Sequence, residues 1–298
     1  MNKFETYGIG IPGLDLAELT GWLIVVEGTD GVGRTTQVDR LRTHLERLGY
    51  AVAESGLNRS ELASRGIRRA KKGNTLGSNA FDLFYATDFA DQLEKQIVPM
   101  LRSGFVMLTD RYVFSLMARA IVRGADPEWI RRVLSFALVP DVVYYLRIDV
   151  PELVPRMLLS GGFDYWESGM DLPMGEDLYE SFVHYQQHVI GELDVLAEEY
   201  RFRTIDATRT IDDISAELCA DVSRLLQAGR RSLRVTPSLA GATAQQPSPP
   251  VRAEGRTGNG VAPGPLVIGS FSRGADPGTP RSNGHLGHRP GSPGDSIP

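Results

Sequence analysis

Two short stretches carry residues whose types and spacing suit phosphate chemistry. The first, Gly28-Thr29-Asp30-Gly31-Val32-Gly33-Arg34-Thr35-Thr36, follows the apolar run Leu23-Ile24-Val25-Val26 and precedes a helical pattern. Glycines at this spacing let backbone N–H groups turn inward around phosphate oxygens, and the start of the next helix adds a favourable dipole. Thr35 supplies a hydroxyl for Mg2+. Position 34 is arginine where such loops usually carry lysine; it keeps the charge but is planar and bulkier. The second stretch, Asp110-Arg111-Tyr112 with Ser115 beyond it, closes the run Phe105–Thr109. An aspartate at a strand end can hold a magnesium water shell, and Arg111 can grip a second phosphate as a bidentate donor. Each stretch also has a plainer reading, a Gly-rich turn or a strand exit with a surface ion pair. Strand, spacing, hydroxyl and helix together favour phosphate.

These residues need a scaffold that brings strand ends together. Short apolar runs at 23–26, 51–53, 105–109, 142–148 and 204–205 read as strands. Helical patterns fill the gaps, at 35–48, 60–72, 79–102, 113–122, 127–138, 152–159, 176–199 and 211–227. Alternation of this kind predicts a five-stranded parallel sheet with helices on both faces, a three-layer α/β fold. Ligands in such sheets bind beyond the carboxyl ends of the strands. No internal repeat is evident.

Composition divides the chain. Its 298 residues suggest about two domains by length. Residues 229–298, however, hold 13 Gly and 11 Pro among 70 residues, with Phe271 as the one aromatic. That stretch cannot bury enough apolar surface to offset its ordering entropy, and it reads as a disordered tail. The expected division is an N-terminal extension at 1–20, a phosphate-loop α/β domain at 21–228 and the tail at 229–298. The tail carries 8 Arg and 3 acids, so +5; the whole chain is −5, which leaves −10 for residues 1–228. A body that acidic does not suit long nucleic acid, whereas a small anion needs only a local patch. The single Cys219 excludes a disulfide framework within the chain and fits a reducing cytoplasm. No apolar run reaches a membrane span, and residues 1–15 lack a signal-peptide core.

Glu27–Thr36, Asp110-Arg111-Tyr112-Val113-Phe114-Ser115, Pro140–Leu146 with Arg156 beyond it, and Ile205-Asp206-Ala207 together resemble the thymidylate kinase family. The motifs stand in the family's order over about residues 22–226. The resemblance implies a P-loop NTPase fold, phosphoryl transfer from ATP to dTMP with Mg2+, and a homodimer. It makes Asp30 the loop acid near the acceptor phosphate and Arg111 the arginine on that phosphate. Ser115 then lies on the wall around the base, and Phe84 is the aromatic that stacks on thymine. Arg59 resembles another phosphate-contacting arginine. Asp164-Tyr165-Trp166-Glu167 resembles the lid, with Trp166 either stacking on substrate or packing the lid. Thr35, Asp110 and Glu167 are the candidates around the metal.

Two departures stand out. The base-reading arginine expected four residues after the stacking aromatic is Asp88 here. The family's catalytic arginine sits in the loop, where this chain has Gly31, or in the lid, yet residues 157–200 contain no Lys or Arg. Arg34, Arg119 and Arg156 are the candidates to replace that charge; Arg119 stands one helical turn past Ser115 and points toward the same cleft. Other acceptors, and a nucleotide-binding protein without turnover, remain alternatives. The basic stretch Arg65, Arg68, Arg69, Lys71, Lys72 reads mainly as a solvated helix face. His184 and His188 have metal-compatible spacing but no acidic partner motif, and Cys219 reads as a small core residue.

Overall fold

The computed structural model describes residues 3–73 and 76–234. Strands β1 (Trp22–Glu27), β2 (Val52–Gly56), β3 (Val106–Asp110), β4 (Val142–Arg147) and β5 (Arg203–Asp206) form one parallel sheet in the order β2-β3-β1-β4-β5. The P-loop three-layer arrangement expected from the sequence is therefore present. Alternate residues of each strand feed two cores. Leu23, Val25, Met107, Val143 and Tyr145 lie under α3 (Ser78–Gln92), α4 (Val98–Arg102), α5 (Val113–Val122), α6 (Pro127–Val133) and α8 (Leu178–Glu199). Ile24, Val26, Leu108, Tyr144 and Leu146 lie under α1 (Arg34–Arg47), α7 (Val150–Leu159) and α9 (Ile211–Arg234). Burial on both faces is why these strands read as continuous apolar runs rather than as alternating ones.

Several boundaries move for local reasons. The basic helix α2 is Ser64–Gly73 and starts four residues late, because the Ser60 hydroxyl accepts from Leu62 N at 3.0 Å and Ala63 N at 3.1 Å and makes 60–63 a turn. The helix expected to run to 138 stops at Val133, because Ala137 and Val139 turn to pair with the N-terminal segment: Tyr7 N donates to Ala137 O and Val139 N to Glu5 O. That segment is packed rather than projecting, with Phe4 and Leu19 in the core. The long 79–102 helix is interrupted by a wide turn at Leu93–Ile97 just before Pro99, whose missing N–H and ring crowding break the regular ladder. Helix α9 continues to Arg234. From 235 on, the expected tail lies outside the described residues.

The register aligns Val26 with Asp110 and Gly56 with Asp110. The ends of β1, β2 and β3 thus meet at one edge. The chain leaves β1 toward one side of the sheet and leaves β3 toward the other, which opens a crevice at those ends.

Candidate active site

Gly28, Gly31 and Gly33 have φ of 147°, 75° and 102°, so loop 28–33 needs backbone conformations that side chains resist. Gly31 is doubly constrained, since a Cβ there would run into Met157 Sδ. Helix α1 then begins at Arg34 with no side-chain cap, leaving its first N–H groups aimed at the loop. Arg34 folds back into this loop. Its Nε donates to Asp110 Oδ1 at 2.7 Å, and its Nη1 donates to the carbonyls of Gly28 and Thr29. Thr35 Oγ1 donates to Asp110 Oδ2 at 2.6 Å. Burial pushes the Asp110 carboxyl up, but Arg34 and the Thr35 hydroxyl outweigh it and hold the group below its usual range.

Magnesium typically takes one or two carboxylates and completes its shell with waters and phosphates. An ionised Asp110 beside the Thr35 hydroxyl fits that habit. At Glu167, by contrast, burial and then the charges of Asp30 and Asp164 push the pKa up. Among the described residues no cage of three or more His, Cys, Asp or Glu side chains exists.

Arg111 follows Asp110 at φ 73°, a left-handed conformation that a non-glycine residue adopts only when its surroundings fix it. Two bonds do so: Arg111 N donates to Val26 O at 2.9 Å, and Tyr112 N donates to Glu27 Oε1 at 2.8 Å. Glu27 is fully buried and also takes Ser115 N at 3.2 Å and Ser115 Oγ at 2.6 Å. The hydroxyl of Ser115 is therefore spent on the end of β1 and does not line the cavity. Arg111 Nη2 pairs with one oxygen of Asp30, and Arg119 Nη2 pairs with the other. Burial alone would raise the Asp30 carboxyl, but Arg111, Arg119 and Arg34 together hold it far below the carboxylate range. Arg111 is lowered to about 10, by burial first and then by the neighbouring Arg119 and Arg34 charges.

Next to this cluster lies a cavity of about 270 Å³. It gathers Asp30, Arg34, Arg59, Asp110, Arg111, Arg119, Trp166 and Glu167, eight of the residues singled out in the sequence. Arg156 lies elsewhere: it donates to Ala207 O at 2.6 Å and Val32 O at 3.3 Å, pinning the phosphate loop to the end of β5. Phe84 also lies elsewhere, 39% exposed and over Gly66. The cavity's aromatic wall is made instead by Phe81, Tyr85, Tyr185 and Trp166. Trp166 stacks on Phe81 with ring centres 5.2 Å apart, so the lid-like segment packs onto α3 through the residue expected to pack or stack.

Asp88 has a structural task. It accepts from Asn58 N at 2.7 Å, Ser60 N at 3.0 Å and Gln92 Nε2 at 2.7 Å, which fixes the loop after β2 that carries Arg59. Of the basic stretch, Arg65, Arg68, Arg69 and Lys72 are exposed, while Lys71 turns inward, 5.8 Å from the ring centres of Tyr85 and Trp166. His184 and His188 bond to the carbonyls of Met174 and His184, and Cys219 is half-buried against the second core. The sequence reading missed Arg123. It pairs with Asp171 at 2.8 Å, bonds to Trp166 O and the Tyr185 hydroxyl, and so ties the lid-like segment to α5. Its position one turn after Arg119 is the signal that was available.

The sequence model of a family described as thymidylate kinase matches residues 26–218. The chain is 38% identical to the probable thymidylate kinase 2 of Saccharolobus solfataricus over 204 residues, covering 67% of this chain and 94% of the relative. It is 31% identical to the probable thymidylate kinase of Pyrococcus horikoshii, covering 70% and 98%. With the thymidylate kinase of Bifidobacterium longum subsp. infantis the identity is 32%, covering 70% and 89%.

Proposed function

The chain belongs to the thymidylate kinase family, and we propose that it transfers the terminal phosphoryl group of ATP to dTMP, working as a homodimer in the cytoplasm. The observation that carries this reading is the pairing of Arg111 and Arg119 with the two oxygens of Asp30, at the junction of phosphate loop and cavity. Two guanidiniums converging there make an anion seat between a donor site and an aromatic pocket.

The donor's phosphates lie along the N–H groups of residues 28–36. Thr35 and Asp110 would hold magnesium, which supplies charge neutralisation to the donor phosphates when bound. The acceptor's phosphate enters beside Asp30, where Arg111 grips it and Arg59, which has no carboxylate partner among the described residues, can join. Arg119 faces the point of transfer and supplies the charge that the Arg-free lid lacks. Arg34, already bonded to Asp110 and two loop carbonyls, holds the loop's shape and adds positive field. Catalysis is then positioning plus charge stabilisation, with no covalent intermediate. The buried aromatics take the base and exclude water.

The test is ATP consumption across deoxynucleoside and ribonucleoside monophosphates. Turnover confined to dTMP is expected. Turnover with another acceptor alone would replace dTMP in this reading, and ATP binding with no turnover on any acceptor would defeat it.

A further inference from the structure

The cavity has two chemically different ends. Along α5 its residues step from Leu116 to Arg119 to Arg123. Arg119 reaches Asp30 in the phosphate loop, and Arg123 stands one turn farther from it. Around that far end are Phe81, Tyr85, Trp166, Leu116, Ile130 and Leu134, a lining suited to a flat aromatic ring. A base that enters such a pocket still brings polar edges, and each needs a partner.

Asp82 stands on this wall, between Phe81 and Tyr85 on α3. It is only 8% exposed. Its Oδ2 is buried and has no hydrogen-bond partner, and no ion pair to Asp82 occurs among the described residues. Among the described residues, Arg123 is the cation whose field reaches it, yet that guanidinium is spent on Asp171, Trp166 O and the Tyr185 hydroxyl. A buried acid with unused hydrogen-bonding capacity is costly to a fold and calls for an explanation. Two other cavity carboxylates have direct partners: Asp30 holds two arginines, and Asp110 holds Arg34 and Thr35.

We infer that Asp82 reads the acceptor's base, its carboxyl accepting a hydrogen bond from the ring N3–H of thymine. The inference rests on the proposed dTMP kinase activity and adds the residue that sets base choice. The N3–H and O4 of that base form a donor–acceptor edge. Burial pushes the Asp82 carboxyl up to about 6, so above that pH a carboxylate oxygen accepts the N3–H, and below it the protonated acid also offers an O–H donor to O4. An apolar pocket cannot make this distinction, whereas a site built to hydrogen-bond a ring N–H rejects an analogue that lacks it. Asp88, the residue that first suggested altered base reading, is occupied with the loop after β2 and does not line the pocket.

The experiment is steady-state kinetics of the full chain and its Asp82→Leu and Asp82→Asn variants, with dTMP and with N3-methyl-dTMP, which lacks the N–H. The wild type should prefer dTMP by at least tenfold in kcat/KM. Asp82→Leu, close in volume, should raise the KM for dTMP at least tenfold, leave the KM for ATP unchanged, and cut that preference to within about threefold. Asp82→Asn keeps a carbonyl acceptor and should restore much of the preference. A discrimination that survives intact in an active Asp82→Leu enzyme overturns the inference. So does a wild type that turns over both nucleotides equally. Wild-type enzyme that turns over no dTMP at all defeats the proposed activity instead, so the two failures are distinguishable.

Discussion

The two ends of the cavity settle their charges in opposite ways. At the loop end the two carboxylates Asp30 and Asp110 are answered from inside the chain: Arg111 and Arg119 hold Asp30, while Arg34 and Thr35 hold Asp110. At the aromatic end Asp82 is buried without an answer. The first arrangement resembles a site assembled in advance, in which an internal carboxylate stands where a phosphate will compete for the same arginines. The second resembles a site completed by its ligand. Such a difference predicts different penalties. Breaking the loop-end network should cost turnover and leave a buried charge unpaired. Breaking the aromatic end should cost substrate recognition while relieving the fold.

The sharpest break is Arg111→Ala. It removes the guanidinium whose backbone is held at a positive φ by Val26 O and whose side chain meets Asp30. Charge stabilisation by one such arginine can be worth ~10³-fold or more in phosphoryl transfer. The expected result is a loss of at least that size in kcat/KM for dTMP, with binding of ATP largely kept. A loss below tenfold would mean the network is structural and the transfer occurs elsewhere. Arg119→Ala comes next, at about a hundredfold in kcat. Arg119→Lys should recover part of it, since the charge stays but the paired geometry does not. Unchanged turnover in Arg119→Ala would return the search for the missing positive charge to Arg34.

Much of the loop end was legible in the sequence because its chemistry is local. The Gly spacing of 28–33, the hydroxyl of Thr35 and the Asp110–Arg111 pair sit at strand ends that periodicity locates. Arg119 was reachable by counting one turn from Ser115. The aromatic end depends on which way a helix is rotated. Phe81, Phe84 and Tyr85 lie within five residues, and one turn of helix decides which face the cavity. The apolar pattern of α3 is nearly uniform around that helix and carries little phase, so Phe84 looked as suitable as its neighbours. Asp88 misled for a related reason: its role is to accept two backbone N–H groups from a loop thirty residues away, and no local spacing encodes that. Glu27 opens the first motif, yet its three hydrogen bonds from Tyr112 and Ser115 appear only when β1 and β3 are side by side.

At the aromatic end stands the lid tether, and it sharpens the comparison. Arg123 joins α5 to the segment carrying Trp166 and Asp171, and both sides of the contact are shielded from water. The lid's Glu167 faces the charges of Arg119 on α5 and of Arg111 just before it, not cations of the lid. Arg123→Ala should therefore loosen closure without removing any group at the transfer point. The expected outcome is a rise in KM for dTMP of about tenfold, a smaller fall in kcat, and faster proteolysis within residues 160–177. A kcat loss matching that of Arg119→Ala would place Arg123 at the reacting phosphate and erase the distinction between tether and charge.

The smallest effect tests the aromatic end without any substrate. Burial raises the Asp82 carboxyl from 3.8 to about 6. A raised acid binds its proton more tightly when folded, so between those values the folded chain holds more protons than the unfolded chain. Stability then falls as pH rises through that window, and the penalty is full above about pH 6. Asp82→Leu removes the penalty, so its gain in Tm over wild type should be larger at pH 8 than at pH 4. An unsatisfied buried polar group costs about 1–3 kcal/mol, and about 1 kcal/mol moves the Tm of a body this size by roughly 2–4 °C. Thermal denaturation of the unliganded proteins at the two pH values measures the difference directly. A gain that does not grow with pH would mean Asp82 finds a partner in solution, and the contrast between a settled and an unsettled end would disappear. A gain that does grow, together with a poorer KM for dTMP, would mark Asp82 as a residue kept at a cost to the fold for the sake of its ligand.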